Sequence, residues 1–448
     1  MEKDAAKRLT CAVNDAGSAA VEPAPWPVSA LSRQPASARQ LATAPRPVSS
    51  RQPAPAQQQA SAIRTVLAVG AVMVDAVCQV PRLPASGEGV VVEQVGATLG
   101  GCALNAAAAV LDAGADCCLF APLGRGMFAG FAKKHLADLG ISLFGPNDPE
   151  GGPAYDSGAC VCFVEPDGQR TMVTLPGIER HFRDEWFAEL DVALDAEQGA
   201  EPAAGLNDES INAAPACGFS CALASGFEVG GPGGEAIVRF FERHPQLPLF
   251  FGPGPLLTEF PPALIERLNA LHPLWHLNDQ EALAFTGCAT VEEAGRRIAQ
   301  EAGNVCIVTA GAQGSYAFVP AAEAATRASA AESLASREVA EALDGRASAM
   351  EAAEDFGLAV SSQNAACGAL EANEIAASPA APAIRVVFAP STPVPSDRVV
   401  DTIGAGDTHL GALAAAFAKH MSWEDALAAA NEAAARVVQL KGGMLPIK

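Results

Sequence analysis

The sequence predicts an α/β fold in which a mostly parallel central sheet is flanked by helices, and three stretches carry that expectation. Residues 65–74 form an apolar run broken by Gly70, the pattern of a strand buried on both faces. GGEAIVRFFERHPQ followed by PLFFG reads as a helix feeding directly into a strand. Val399 and Val400 lead into DTIGAGDTHLG and a long alanine-rich segment, which reads as strand, glycine turn and helix. A chain of 448 residues, 50% hydrophobic, can bury a sizeable core, and its length allows one large domain or two ordinary ones.

The formal charge of -22 argues against nucleic acid or an anionic lipid surface as the main partner. A phosphate-bearing ligand stays compatible with it, because such a ligand needs only a local cluster of donors. No run of 18 apolar residues predicts a membrane span, and the opening MEKDAAKRLT lacks a secretory core, so a cytoplasmic location is expected. Most of the 12 cysteines sit in apolar runs, as Cys78, Cys102, Cys117, Cys118 and Cys306 do, and read as small buried hydrophobes in a reducing compartment. Cys160 and Cys162 share one face of a strand but lack the second cysteine pair that a structural metal would use.

In chain order, residues 1–63 are rich in Pro, Ala and Gln and carry the repeat SRQPA, so a disordered tail is expected there. Order begins at Thr65. Asp75 ends the first apolar run, which would place a carboxylate at the carboxyl end of a central strand, where open α/β sheets bind ligands. A turn at PASGEG leads into the short strand VVVEQVGA. Gly100 and Gly101 allow close backbone approach, and the alanine-rich helix behind them carries Asn105 in its first turns. Residues 117–123 read as a strand and GRGMFAGFAKKHLADLGI as a helix. Residues 158–164 and 169–174 read as strands joined by EPDG, a hairpin signal. Residues 192–216 read as an acidic surface insertion, PPALIERLNAL as a proline-opened helix, and NVCIVTAGAQGSYAFV as two strands around a glycine loop. Residues 321–383 form a second acidic insertion, with ten acidic residues against three arginines between 321 and 380.

Gly404, Ala405 and Gly406 form a side-chain-poor turn at a helix start, where free N–H groups and the helix dipole make an anion hole. Asp407 follows at once. A carboxylate there repels an anion, so it needs another task, such as taking the proton of a hydroxyl nucleophile. The plain alternative is a glycine turn whose aspartate caps the helix.

The whole string DTIGAGD resembles the carboxyl-terminal signature DTxGAGD of the ribokinase-like, or PfkB, family of carbohydrate and nucleoside kinases. Asp75 with the GGxxxN pattern of Gly101 and Asn105 resembles that family's amino-terminal signature. The resemblance covers residues 64–448, and it implies a doubly wound sheet with a small β-sheet lid, built from strands near 86–98 and 158–175. It implies ATP-dependent phosphorylation of a primary hydroxyl on a sugar or sugar derivative. Asp407 would be the catalytic base, residues 404–406 the anion hole, and Asp75, Gly101 and Asn105 the sugar contacts. Thr309, Gly311, Gly314 and Asn431 would border ATP. Asn278 and Glu281, an NxxE motif, would organise magnesium through water, although alone they would read as ordinary capping. A potassium ion near Asp401 and a homodimer through the lid are implied in the same way. Two rivals remain, a nucleoside kinase of the same fold and a catalytically silent kinase-like binding protein. The sequence departs from the family at Gly126 and Ala129, where relatives usually carry an aspartate and a glycine, and at Gly252 and Leu256, which replace the aspartate and arginine of some members. His409, beside the predicted base, is expected to pack or hydrogen-bond rather than react.

Overall fold

A computed structural model of the protein describes residues 65–139, 141, 143–146, 155–166, 170–197, 218–321 and 383–447. At its centre lies β1 (Thr65–Val69), every residue of which is buried. Val66 and Ala68 point into one hydrophobic core while Leu67 and Val69 point into another, as the two-residue repeat of a strand requires. The chain is therefore layered on both faces of one sheet.

The remaining parallel strands are β4 (Asp116–Phe120), β5 (Leu143–Phe144), β8 (Phe219–Ser225), β9 (Leu249–Gly252), β10 (Leu274–Asn278) and β11 (Cys306–Thr309). With the antiparallel β12 (Gly314–Pro320) and β13 (Ile384–Pro390) at one edge, the order is β13-β12-β11-β10-β9-β8-β1-β4-β5. From β1 the chain adds strands on one side through β4 and β5, then returns to the other side through β8. That reversal makes a switch point between β1 and β8, where open sheets leave a crevice at their carboxyl ends.

One core joins the sheet to α1 (Cys102–Asp112), α2 (Met127–Leu139), α9 (Ala405–Ala418) and α10 (Trp423–Val437). The other packs α3 (Ala188–Glu197), α5 (Gly234–Arg243), α6 (Pro262–Ala270), α7 (Asp279–Thr286) and α8 (Val291–Ala302) on the opposite face, beside the one-turn α4 (Gly226–Val229). The two layers differ in chemistry. Alanines dominate α1 and α9, which lets these helices approach closely: a Cβ at Gly411 would lie 2.2 Å from the Ala106 carbonyl oxygen. The opposite layer is aromatic, with Phe120, Phe187 and Phe240 in contact.

A second sheet has the order β3-β2-β6-β7, from β3 (Gln94–Gly100), β2 (Met73–Gln79), β6 (Ala159–Val164) and β7 (Arg170–Leu175). The hairpin of β6 and β7 falls where EPDG predicts it. Three expectations need correction. Val399 and Val400 form no strand: they follow the short turn Ser396–Arg398, and both are exposed. The run 65–74 is not one strand: β1 stops at Val69, Gly70 takes φ 156°, and the chain enters the small sheet at Met73. Asp75 therefore stands on a strand of the small sheet, not at the end of a central one. The strand expected over residues 90–95 starts only at Gln94 and runs to Gly100, because exposed Val91 and Val92 find no partner strand among the described residues.

Where relatives carry an aspartate near Gly126, the carboxylate comes from another segment. Asp156 accepts the N–H groups of Phe128 and Ala129 at 3.1 and 2.8 Å and fills the space over Gly126. The expected tail and the second insertion lie outside the described residues, apart from Ala321 and Pro382's neighbour Ala383 at the insertion's ends. In the first insertion α3 continues to Glu197, and residues 198–217 lie outside the description. No helix among the described residues is long and apolar enough to cross a membrane.

Candidate active site

Ser225, Gly252, Asn278 and Thr309 are the last residues of β8, β9, β10 and β11, and all four line one crevice of about 370 Å³. The small sheet closes its other side. Its register aligns Thr98, Asp75, Cys160 and Thr174 across four strands on one face, and the last three line the crevice. Asp75 is seated there because Gly100 leaves room: a Cβ at Gly100 would lie 2.0 Å from Asp75 Oδ2. Burial first, and the nearby Asp407 charge second, push the Asp75 carboxyl up to about 6.

Asn105 sits 302 residues before Asp407 and meets it directly. Its Nδ2 donates to Asp407 Oδ2 at 3.0 Å, while its Oδ1 is buried without a partner. Gly101 sets this geometry, since a Cβ there would lie 2.6 Å from the Ala71 carbonyl oxygen. Asp407 keeps some accessible surface although it lies deep in the crevice. Burial raises its carboxyl above the ordinary range, and hydrogen bonds from Asn105 and Cys102 oppose that shift.

Gly404 caps α9 with φ 73°, and no side chain caps the first turn, so its leading N–H groups face outward without helical partners. Gly406 opens onto free space, as a Cβ there would meet nothing within 4 Å. A second cavity of about 590 Å³ lies on the other side of this turn and is lined by Thr309, Gly311, Gly314, Ala405 and Asn431. Thr309 and Gly406 border both cavities. The amino end of α9 thus stands at the junction of two chambers, with Asp407 in the smaller one.

Asn278 and Glu281 form a capping box on α7: Asn278 Oδ1 accepts the Glu281 N–H at 2.8 Å, and Glu281 Oε2 accepts the Asn278 N–H at 3.0 Å. Both also line the crevice. An amide oxygen and a carboxylate are hard donors of the kind magnesium takes, usually through its waters. Burial raises the Glu281 carboxyl, a shift that a nearby cation would reverse. Among the described residues no group of three or more His, Cys, Asp or Glu could hold a metal alone. Asp401 accepts the N–H groups of Ile403 and Gly442 at 2.9 and 3.3 Å, so its seen task is bracing the loop, and a potassium ion there rests on the resemblance alone.

Asn431 borders the larger cavity, but its amide is used in the scaffold. It accepts from Ser315 at 3.0 Å and donates to the Ala389 and Pro390 carbonyls at 3.1 Å each. His409 packs as expected, with its Nδ1 2.9 Å from His276 Nε2, and burial holds both rings below the ordinary histidine range, hence neutral. Sequence reasoning missed Ser225 and Glu228. Glu228 lies on a single helical turn in SGFEVGG, too short to show a periodic pattern, and is 1% exposed.

A doubly wound sheet, a four-stranded companion and a helix amino terminus between two cavities define the ribokinase-like class of fold. The pattern described as "pfkB family carbohydrate kinase" matches residues 64–207 and 383–448. The chain is 30% identical over 385 residues to the "Uncharacterized sugar kinase YegV" of Escherichia coli (strain K12), covering 85% of this chain and 90% of that protein. Among solved structures, the adenosine kinase of Sinorhizobium meliloti superposes with a TM-score of 0.57 at 15% identity, over 86% of this chain and 96% of that one. A ribokinase of Arabidopsis thaliana, complexed with ribose and ATP, gives 0.52 at 17% identity, over 85% and 94%. The chain belongs to the pfkB family of carbohydrate kinases, and with it to the phosphotransferases.

Proposed function

We propose that the protein transfers the terminal phosphoryl group of ATP to a primary hydroxyl of a sugar or sugar derivative. The observation that carries this reading is the junction at α9, where Gly406 borders both cavities and Asp407 faces only the crevice. ATP fits the larger cavity, where Gly311 and Gly314 expose backbone, and its terminal phosphate would reach the turn of residues 404–406. The acceptor fits the crevice, its hydroxyls paired by Asp75 and Asn105. Asp75, Asn105, Thr174 and Ser225 give its described lining several groups that pair with hydroxyls, which supports a sugar as the acceptor.

Asp407 acts as general base, taking the hydroxyl proton as that oxygen attacks. The Asn105 amide holds the carboxylate with its charge toward the attacking group, and the α9 turn stabilises charge on the phosphoryl oxygens. Asn278 and Glu281 would hold magnesium, which when bound neutralises phosphate charge. The small sheet keeps bulk water from the crevice. Its other face carries exposed Val95, Val173 and Leu175, which supports a homodimer made by pairing that face with a second copy. Release of ADP that requires both an added sugar and the Asp407 carboxylate is the test of this function.

A further inference from the structure

Among the described residues, Glu228 is the buried carboxyl on the crevice wall that the mechanism above does not use. It is 1% exposed, stands on α4 immediately after β8, and lines the crevice with Asp75, Asn105 and Asp407. Its two oxygens are not equivalent. The Ser225 hydroxyl donates to Oε2, and the same hydroxyl oxygen accepts the Phe227 N–H at 3.2 Å, so the serine has no second proton to give. Oε1 is buried with no partner. Burial pushes the carboxyl up to about 8, with Glu179 and Asp407 adding to the shift, so the group carries a proton at neutral pH. With Oε2 already accepting, that proton belongs on Oε1.

The crevice therefore offers, within one small volume, a donor at Glu228 Oε1, an unpaired acceptor at Asn105 Oδ1, and the acceptor carboxylates of Asp75 and Asp407. A hydroxyl group can accept from the first and donate to the others. A carboxylate or phosphate can only accept, and no lysine or arginine among the described lining residues would offset its charge.

Resting on the kinase reading above, we propose that Glu228 is a specificity-determining residue, donating to an acceptor hydroxyl and restricting the acceptor to uncharged polyhydroxy compounds over sugar acids and sugar phosphates.

The test measures acceptor-dependent ADP release by the full chain with ribose, fructose and glucitol against ribonate, gluconate and fructose 6-phosphate. Efficiency with the best neutral compound should exceed that with every anionic one by about 100-fold or more. Glu228→Gln, which keeps a donor of the same size, should hold acceptor KM within about threefold, while Glu228→Leu raises it roughly 10- to 100-fold with ATP KM unchanged. Comparable turnover of an anionic acceptor overturns the proposal even if the chain is a kinase. So does an unchanged acceptor KM in Glu228→Leu, or equal loss in the Gln variant, which also decides the matter if the Leu variant fails to fold. Absence of turnover with all six compounds counts against the kinase reading itself, and the proposal falls with it.

Discussion

Asp75 carries an energetic burden that its position explains. It is held against Gly100 under the small sheet and close enough to Asp407 to feel its charge. Burial and the Asp407 charge push its carboxyl up to about 6 from an ordinary 3.8. A raised folded value means that the folded state binds the proton more tightly than the unfolded chain does. The resulting stabilisation is complete below about 3.8 and is lost as pH rises through about 6. Asp75→Asn removes the burden, so at about pH 7.5 it should raise the melting temperature, by on the order of 2 kcal/mol of stability. Near pH 4 the gain should vanish. The same variant should lose sugar-kinase efficiency by roughly tenfold or more, since a hydroxyl loses a charged acceptor. A variant that is less stable at both pH values would show that Asp75 holds the fold together and does not serve a ligand. That Asp407 and Asn105 share one crevice was legible because each stands in a recognisable string, DTIGAGD and GGxxxN. Glu228 was not, because one helical turn has no period to read and its importance comes from burial alone.

At the scale of elements, α9 shows how much work a three-residue turn performs. Gly404 is held at φ 73° with the Gly443 carbonyl oxygen 2.2 Å from where a Cβ would be, so both conformation and space exclude a side chain. Gly406 has neither restriction, and its missing side chain keeps the passage between cavities clear. The two alanine variants should therefore differ in kind. Gly404→Ala should lose more than about 1 kcal/mol of stability in a denaturant melt. Gly406→Ala should melt within about 0.5 kcal/mol of the parent but turn over more slowly, because its methyl group enters the phosphate's space. Equal destabilisation of both would remove the distinction. The helix and its turn could be read from the sequence, as could α5 and β9, whereas β8, β10 and α8 were not read. The exit from β1 could not be read. Apolarity continues unbroken from Ala71 to Val74, and nothing in that run reveals that Gly70, where a Cβ would lie 3.1 Å from the Ala103 side chain, turns the chain into a different sheet.

For the molecule as a whole, the switch point beside β1 decides where the chemistry lies, and the second sheet decides what surrounds it. One face of that sheet is committed to the crevice through Asp75, Cys160 and Thr174. The other packs Val74, Leu99 and Ala159 into the main core and exposes Val95, Val173 and Leu175, each more than 40% exposed, which is apolar surface open to burial against a second copy. Sedimentation velocity should accordingly find a dimer, and replacing Val95 and Val173 together by lysine should shift it to monomer with the melting temperature little changed. A parent chain that sediments as a monomer at all accessible concentrations would remove the lid-paired dimer. The mixed edge of β12 and β13 was less legible than the parallel strands, since the sequence between them, residues 321–383, gives no sign that the two strands pair directly.

The central claim is that Asp407, at the junction of the two cavities, takes the proton from the acceptor hydroxyl. Steady-state kinetics of Asp407→Asn, with the best neutral sugar and with ATP, test it most directly. Asn keeps the shape of the side chain and removes only its ability to hold a proton. The variant should fold, bind ATP with affinity close to the parent's, and lose about 10²–10⁴-fold in kcat. A kcat within about threefold of the parent, measured on a folded variant, would contradict it.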